Sequence, residues 1–329
     1  MVLALEGEAP ALAKLLRSEG ARVLGLMERV ELRLAEVAAG HGAPLATHAG
    51  DTIAAGGKRL RPLLVLIAAA DAPGDAGGAV RAAVAVELIH SATLVHDDVL
   101  DGAALRRGHP TVVSAAGRAL ATATGDLLFS RAFAELAASG HREQVAALSA
   151  ASTALALGEL RQREDAWDPT VSPQRYLERC ELKTARLFQA ACELGAHQCE
   201  GGAIAALGAF GRSIGLAFQV LDDVLDVTGP AERTGKHRGT DLLDGTVTLP
   251  LILARQQDSS LATTDLRALS GPADAERLCD AIAATGALEE ARTHALELVA
   301  DAKAALPTLD SFRRRALELV ADAVAERYA

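Results

Sequence analysis

The pentapeptide Asp-Asp-Val-Leu-Asp occurs twice in this chain, at residues 97–101 and 222–226. Each copy closes an apolar, helix-forming run, residues 84–95 before the first and 214–221 before the second. On a helix the first and fifth Asp of each copy stand at i and i+4, so both carboxylates leave one face. The chain must therefore build two helices that end in acidic turns. Like charges gathered from both would repel and drive some carboxyls to protonate. A cation is needed to hold them ionised.

Oxygen-only donors suit a hard cation, Mg²⁺ with Mn²⁺ as a substitute, rather than zinc. Mg²⁺ on a few carboxylates keeps waters and bridges to substrate phosphates, so a diphosphate site is the first expectation. The net charge of −10 argues against a nucleic-acid binder, which needs a basic surface. An acidic chain that takes diphosphate must concentrate positive charge locally. Aromatics make up 3% of a chain that is half hydrophobic and rich in Ala, a helix-forming composition. The fold class expected is all-α: a single-domain helical bundle over residues 1–329. Its motif-bearing core spans about 50–250 and its C-terminal helices about 258–329.

Cys180, Cys192, Cys199 and Cys279 show no paired spacing, which points to a reducing compartment. No signal pattern opens the sequence, and the longest apolar run, 63–70, is far short of the roughly 20 residues a spanning helix needs. The expectation is a cytoplasmic protein without a transmembrane segment, open to peripheral membrane contact.

Helical periodicity predicts helices over 10–38, 51–71, 77–98, 119–139, 142–164, 173–196 and 202–226; helices resume at Leu249-Pro250 and run through 262–270, 274–285, 287–305 and 310–328. Ser172-Pro173 reads as an N-cap followed by Pro at the first helical position. Residues 228–245 carry five glycines or prolines and no apolar period, and read as a mobile loop placed to close over the second acidic turn.

Cations cluster in three places. Gly56-Gly-Lys-Arg-Leu-Arg-Pro62 sets Lys58, Arg59 and Arg61 beside two glycines, a combination that lets backbone and cations approach a diphosphate. Arg106 and Arg107 follow the first acidic turn. Lysine is otherwise rare, standing only at 14, 58, 183, 236 and 303; Lys58, Lys183 and Lys236 fall where a compact ammonium would meet phosphate oxygens. His90 lies two turns before Asp97 on the same face, whereas His96 lies off it.

In this order, with Gly125-Asp126, Gly158-Glu159, Lys183-Thr-Ala185, Phe218-Gln219 and Gly235-Lys236 between and after them, these motifs resemble the trans-polyprenyl diphosphate synthases, a trans-prenyltransferase family of the isoprenoid synthase class I fold. The resemblance spans residues 50–250. It implies an all-α bundle around a central cavity, with the two acidic motifs facing each other across its mouth. It implies condensation of isopentenyl diphosphate with an allylic diphosphate, assisted by Mg²⁺. Asp97, Asp101 and Asp222 would ligate metal, with Asp98 and Asp226 supporting. Arg106, Lys183, Gln219 and Lys236 would hold the allylic diphosphate, with Thr184 beside it, and Asp223 joins this catalytic set. Lys58, Arg61, His90 and Arg107 would bind isopentenyl diphosphate. A homodimer is implied as well, with helices 77–98 and 119–139 as candidate faces.

The face of the first acidic helix runs inward from Asp97 through Thr93 and Ala92. Both are small, and in the family small residues there accompany longer products, so a medium-to-long polyprenyl diphosphate is expected. Arg161, Arg163 and Glu164 stand where long-chain relatives carry apolar residues, which leaves a short-chain farnesyl or geranylgeranyl product open. A class I terpene cyclase and a non-catalytic partner subunit are the remaining alternatives. Both fit less well, because both acidic motifs and the Gly56–Pro62 loop are whole.

Overall fold

The computed structural model describes residues 7, 9–54, 57–70, 76–106, 108–199, 203–229 and 237–326. Among these the elements are helices, as expected, apart from one two-residue antiparallel pairing of Leu105–Arg106 (β1) with His109–Pro110 (β2). The longer helices are Pro10–Glu19 (α1), Ala21–Ala39 (α2), Ala43–Ala54 (α3), Leu60–Ala68 (α4), Gly77–Asp101 (α5), Val112–Ala137 (α6), Arg142–Asp165 (α7) and Pro173–Cys180 (α8). A π-helical turn, Glu181–Ala185, joins α8 to Arg186–Ala196 (α9). Then come Ile204–Thr228 (α10), the short Thr240–Leu243 (α11), Leu249–Gln257 (α12), Ser259–Ala262 (α13), Pro272–Ala283 (α14), Ala287–Ala304 (α15) and Ser311–Glu326 (α16).

The chain gathers into two compact units. One comprises Met1–Ser152, Leu187–Ala209 and Leu306–Val320; the other comprises Thr153–Arg186, Phe210–Ala305 and Ala321–Ala329. In the first, α5 packs along α6 and against α4, and α2 packs on α3 and α5. Every residue of α4 from Pro62 to Ala68 is buried. Leu63, Leu64, Leu66, Ile67, Leu88, Ile89 and Leu128 have no exposed surface, and each such side chain contributes roughly 1.5–3 kcal/mol of burial. In the second unit α12 packs on α15 and α8. There Arg179, itself buried, donates to Asp165 Oδ2 (3.2 Å) and to the Val247 carbonyl (2.6 Å).

Several helix boundaries differ from the sequence expectation. The helix expected over 10–38 breaks at Gly20 into α1 and α2, at the residue type most costly to keep in a helix after Pro. The helix expected over 51–71 is two, because Lys58 is non-helical and Arg59 turns left-handed at φ 51° before α4 begins. Helix α6 starts at Val112, seven residues early, through Thr111, whose hydroxyl caps the Ser114 amide, and it kinks at Gly117. The span 262–270 is not one helix; only a 3-10 turn, Leu266–Ala268, lies within it beyond Ala262. Ser172 caps α8 through the Arg175 amide (3.1 Å), with Pro173 first in the helix, as expected.

The segment 228–245 is not all loop. Residues 230–236 lie outside the described residues, and α11 occupies Thr240–Leu243 near its C-terminal end. Helices α5 and α10 are both long and apolar enough by composition to cross a membrane, with 72% and 50% of the relevant windows buried in the protein. Burial in the core accounts for that apolarity in α5 without a bilayer.

Candidate active site

In the first unit, α5 ends at Asp101 and Gly102 closes it at φ 62°, a left-handed turn that favours glycine. A helix C-terminus already carries negative partial charge, so carboxylates there add to the demand for a cation. Asp101 is exposed and Asp97 half-buried, whereas Asp98 is only 5% exposed. Asp98 Oδ1 accepts from Arg106 Nε at 2.8 Å and lies 2.7 Å from its Nη2. The guanidinium expected on diphosphate is thus docked on the second aspartate of its own motif. A cavity of about 430 Å³ borders this pair, lined also by His48, Leu94 and His109.

The basic loop before α4 divides its cations. Arg59 is buried: Nη1 donates to Glu87 (2.7 Å), Nε to Glu31 (2.9 Å) and Nη2 to the Ile53 carbonyl (2.8 Å). It is committed to structure, and the sequence reading placed only Lys58 and Arg61 of this loop on the diphosphate. Lys58 and Arg61 are half-buried, and Arg61 stacks over the Phe188 ring at 4.4 Å. His90 is half-buried and its carbonyl accepts from Thr93 Oγ1 (2.8 Å). Ala92 has no exposed surface and Thr93 is half-buried. His96 stacks on Phe129 and lies 3.3 Å from Asp126, away from the carboxylate face. Arg107 lies outside the described residues.

The second unit repeats the pattern. Near the end of α10, Asp222 is exposed and Asp226 half-buried, whereas Asp223 is 4% exposed. Asp223 accepts from Tyr176 Oη (2.7 Å) at Oδ2 and from Gln219 Nε2 (2.8 Å) at Oδ1. Burial, with Asp241 nearby, raises its carboxyl well above the usual range against these two donors. Burial likewise raises the Tyr176 hydroxyl, and the Asp223 charge adds to it. Asp226 Oδ2 accepts from the Asp241 amide (3.3 Å), tying α10 to α11.

Lys183 and Thr184 sit in the π-helical turn, a distortion that recurs at functional sites. Thr184 Oγ1 donates to Gln219 Oε1 (2.7 Å), and Lys183 Nζ to Glu159 Oε2 (2.6 Å). Glu159 also accepts from Arg163 Nε (2.9 Å). Burial pushes the Glu159 carboxyl up, but the Lys183 and Arg163 charges outweigh it and hold it below its ordinary value. Gly158 makes the close approach: a Cβ there would lie 2.5 Å from the Lys183 amide nitrogen. Arg161 pairs with Glu178 (2.9 Å) and Glu164 with Arg175 (3.0 Å), in partly exposed ion pairs that are worth little in water. Lys236 lies outside the described residues.

Sequence reasoning missed Tyr176, Glu87 and the structural roles of Arg59 and Glu159. One signal was available: a residue at i+1 on a helix points about 100° away from i, so Asp98 and Asp223 leave the face their neighbours share.

These features belong to an all-α protein with two acidic helix termini, and comparison with known proteins narrows its class. The family model for polyprenyl synthetases matches residues 43–284. The chain is 38% identical over 258 residues to heptaprenyl diphosphate synthase component 2 of Geobacillus stearothermophilus, covering 75% of this chain and 80% of that protein. It is also 38% identical over 262 residues to the short chain isoprenyl diphosphate synthase of Methanothermobacter thermautotrophicus, covering 75% and 79%. The crystal structure of a polyprenyl synthase from Caulobacter crescentus, complexed with calcium and isoprenyl diphosphate, superposes with a TM-score of 0.83 at 35% identity, covering 97% of this chain and 98% of that one. The chain belongs to the polyprenyl synthetase family. It has the isoprenoid synthase fold and is a trans-prenyltransferase that makes polyprenyl diphosphates.

Proposed function

We propose that this chain joins isopentenyl diphosphate to an allylic diphosphate, using Mg²⁺, with Mn²⁺ able to replace it, held by Asp97, Asp101, Asp222 and Asp226. The observation that carries the assignment is the shared pattern of the two acidic motifs. In each, the first and fifth aspartates reach solvent while the second is buried against protein donors. Each motif offers two carboxylates near a helix C-terminus, oxygen donors that suit a hard divalent cation. The calcium and isoprenyl diphosphate in the Caulobacter structure support this reading.

The bound metal supplies charge stabilisation on the departing diphosphate. Lys183, Gln219 and Thr184 bind the allylic diphosphate, with Arg106 oriented by Asp98 and with Lys236 from the segment after α10. Lys58, Arg61, His90 and Arg107 bind isopentenyl diphosphate. The allylic C–O bond breaks, the isopentenyl double bond attacks the allylic carbon, and a proton leaves the adduct, most simply to the released diphosphate. Water must stay out, or it would quench the cation. The protein acts as one catalytic domain, works as a homodimer and resides in the cytoplasm.

The product is a medium-to-long polyprenyl diphosphate. This rests on the small side chains of Ala92 and Thr93 and on the heptaprenyl relative; the short-chain relative supports a farnesyl or geranylgeranyl product as the second reading. Purified chain alone, with Mg²⁺, isopentenyl diphosphate and a farnesyl primer, should yield products longer than geranylgeranyl diphosphate on chromatography. Products of twenty carbons or fewer would decide for the second reading. No turnover without an added protein would overturn the self-sufficient homodimer, and so would a monomeric mass by light scattering.

A further inference from the structure

We infer that Tyr176, which does not itself touch substrate, is a positioning residue that fixes how Gln219 meets the allylic diphosphate. The inference rests on the reading of Gln219 as a diphosphate-binding residue. Three hydrogen bonds run in series within one compact unit. Tyr176 Oη donates to Asp223 Oδ2 (2.7 Å), Gln219 Nε2 donates to Asp223 Oδ1 (2.8 Å), and Thr184 Oγ1 donates to Gln219 Oε1 (2.7 Å). Tyr176 has no exposed surface and Asp223 is 4% exposed, so neither bond competes freely with water.

The direction of these bonds matters more than their number. A side-chain amide can turn over, presenting either its oxygen or its NH₂ group. Asp223 Oδ1 accepts from the NH₂ end of Gln219, whose second hydrogen is used by neither bond. Thr184 holds the oxygen end by giving up its hydroxyl hydrogen. An anionic diphosphate needs that spare hydrogen; a turned amide would offer it a lone pair instead. Tyr176 keeps Asp223 in place by occupying its other oxygen, and it reaches α10 from α8, two helical turns before Lys183. The intervening π-helical turn carries Thr184 to the far end of the same series.

The test is Tyr176→Phe, which removes only the hydroxyl, compared with Gln219→Ala and the double variant in steady-state kinetics on the purified enzyme with Mg²⁺. Tyr176→Phe should raise the KM for the allylic diphosphate about 5- to 10-fold, leaving the KM for isopentenyl diphosphate and kcat within about 2-fold. Because Tyr176 acts through Gln219, the double variant should match Gln219→Ala alone, whereas independent effects would multiply. If Gln219→Ala raises the allylic KM but Tyr176→Phe does not, or if the effects multiply, the positioning role is wrong and the diphosphate reading survives. If Gln219→Ala leaves the allylic KM unchanged, both fail. Should Tyr176→Phe not accumulate folded, Tyr176→Met, which also lacks the hydroxyl, takes its place in the cycle with the same expected and overturning results.

Discussion

Replacing Arg59 by Met should destabilise the protein far more than any change at Lys58, although the two are neighbours in one basic loop. Met is unbranched like Arg, so the left-handed backbone at φ 51° costs either residue about the same. The loss is electrostatic. The Arg59 and Glu87 side chains are 6% and 5% exposed and 2.7 Å apart. Removing one member of such a pair strands the other charge in the interior and costs about 3–5 kcal/mol. Glu31 is 43% exposed and adds no more than about 1 kcal/mol. Unfolding entropy near 2.1 cal/mol/K per residue gives roughly 0.7 kcal/mol/K for a chain of this length, so Tm should fall by about 5 °C or more. The assay is thermal unfolding followed by circular dichroism, with reversibility checked. The double change Arg59→Met/Glu87→Leu should recover most of the loss, because no buried charge then lacks a partner. Lys58→Met should leave Tm within about 1 °C while raising the KM for isopentenyl diphosphate about tenfold. An Arg59→Met shift below about 1 °C, or a double variant no more stable than the single one, would refute this division of labour.

The acidic motifs should separate in the same way: Asp101→Asn should cut kcat/KM at least a hundredfold with Tm unmoved, while Asp98→Asn should also lower Tm by unseating Arg106. Equal melting curves for both variants would count against it. For Glu159, the carboxyl is held below its ordinary value of 4.5, so its stabilisation is present above about pH 4.5 and is lost as pH falls through the folded value. The Tm gap between the wild type and Glu159→Gln should therefore be widest near neutrality and close in acid; a gap independent of pH would contradict the pairing with Lys183 and Arg163. Chelation of divalent ions should abolish turnover, and Mg²⁺ or Mn²⁺ should restore it; zinc restoring equally well would argue against an oxygen-donor site. Ala92→Tyr should shorten the product on chromatography without abolishing turnover, at a packing cost of about 1–3 kcal/mol; an unchanged product profile would remove Ala92 from control of length.

The helical class, the paired acidic turns and the order of the motifs were all readable from residue spacing. They depend on local geometry: i and i+4 share a helix face in any protein. Composition also explains the close-packed helices, since Ala and Leu favour helix and leave little bulk between neighbours. Tertiary structure alone decided which like residues do unlike work. Arg59, Lys58 and Arg61 are similar in sequence, yet only Arg59 falls where Glu87 and the Ile53 carbonyl converge on it from elsewhere in the chain. Asp98 and Asp223 repeat their neighbours' chemistry, but Arg106, Tyr176 and Gln219 bury them as anchors. Tyr176 lies 47 residues from Asp223, and no periodicity within either helix encodes that meeting. Local preference sets what a segment becomes, whereas burial and charge pairing depend on which distant segments arrive beside it.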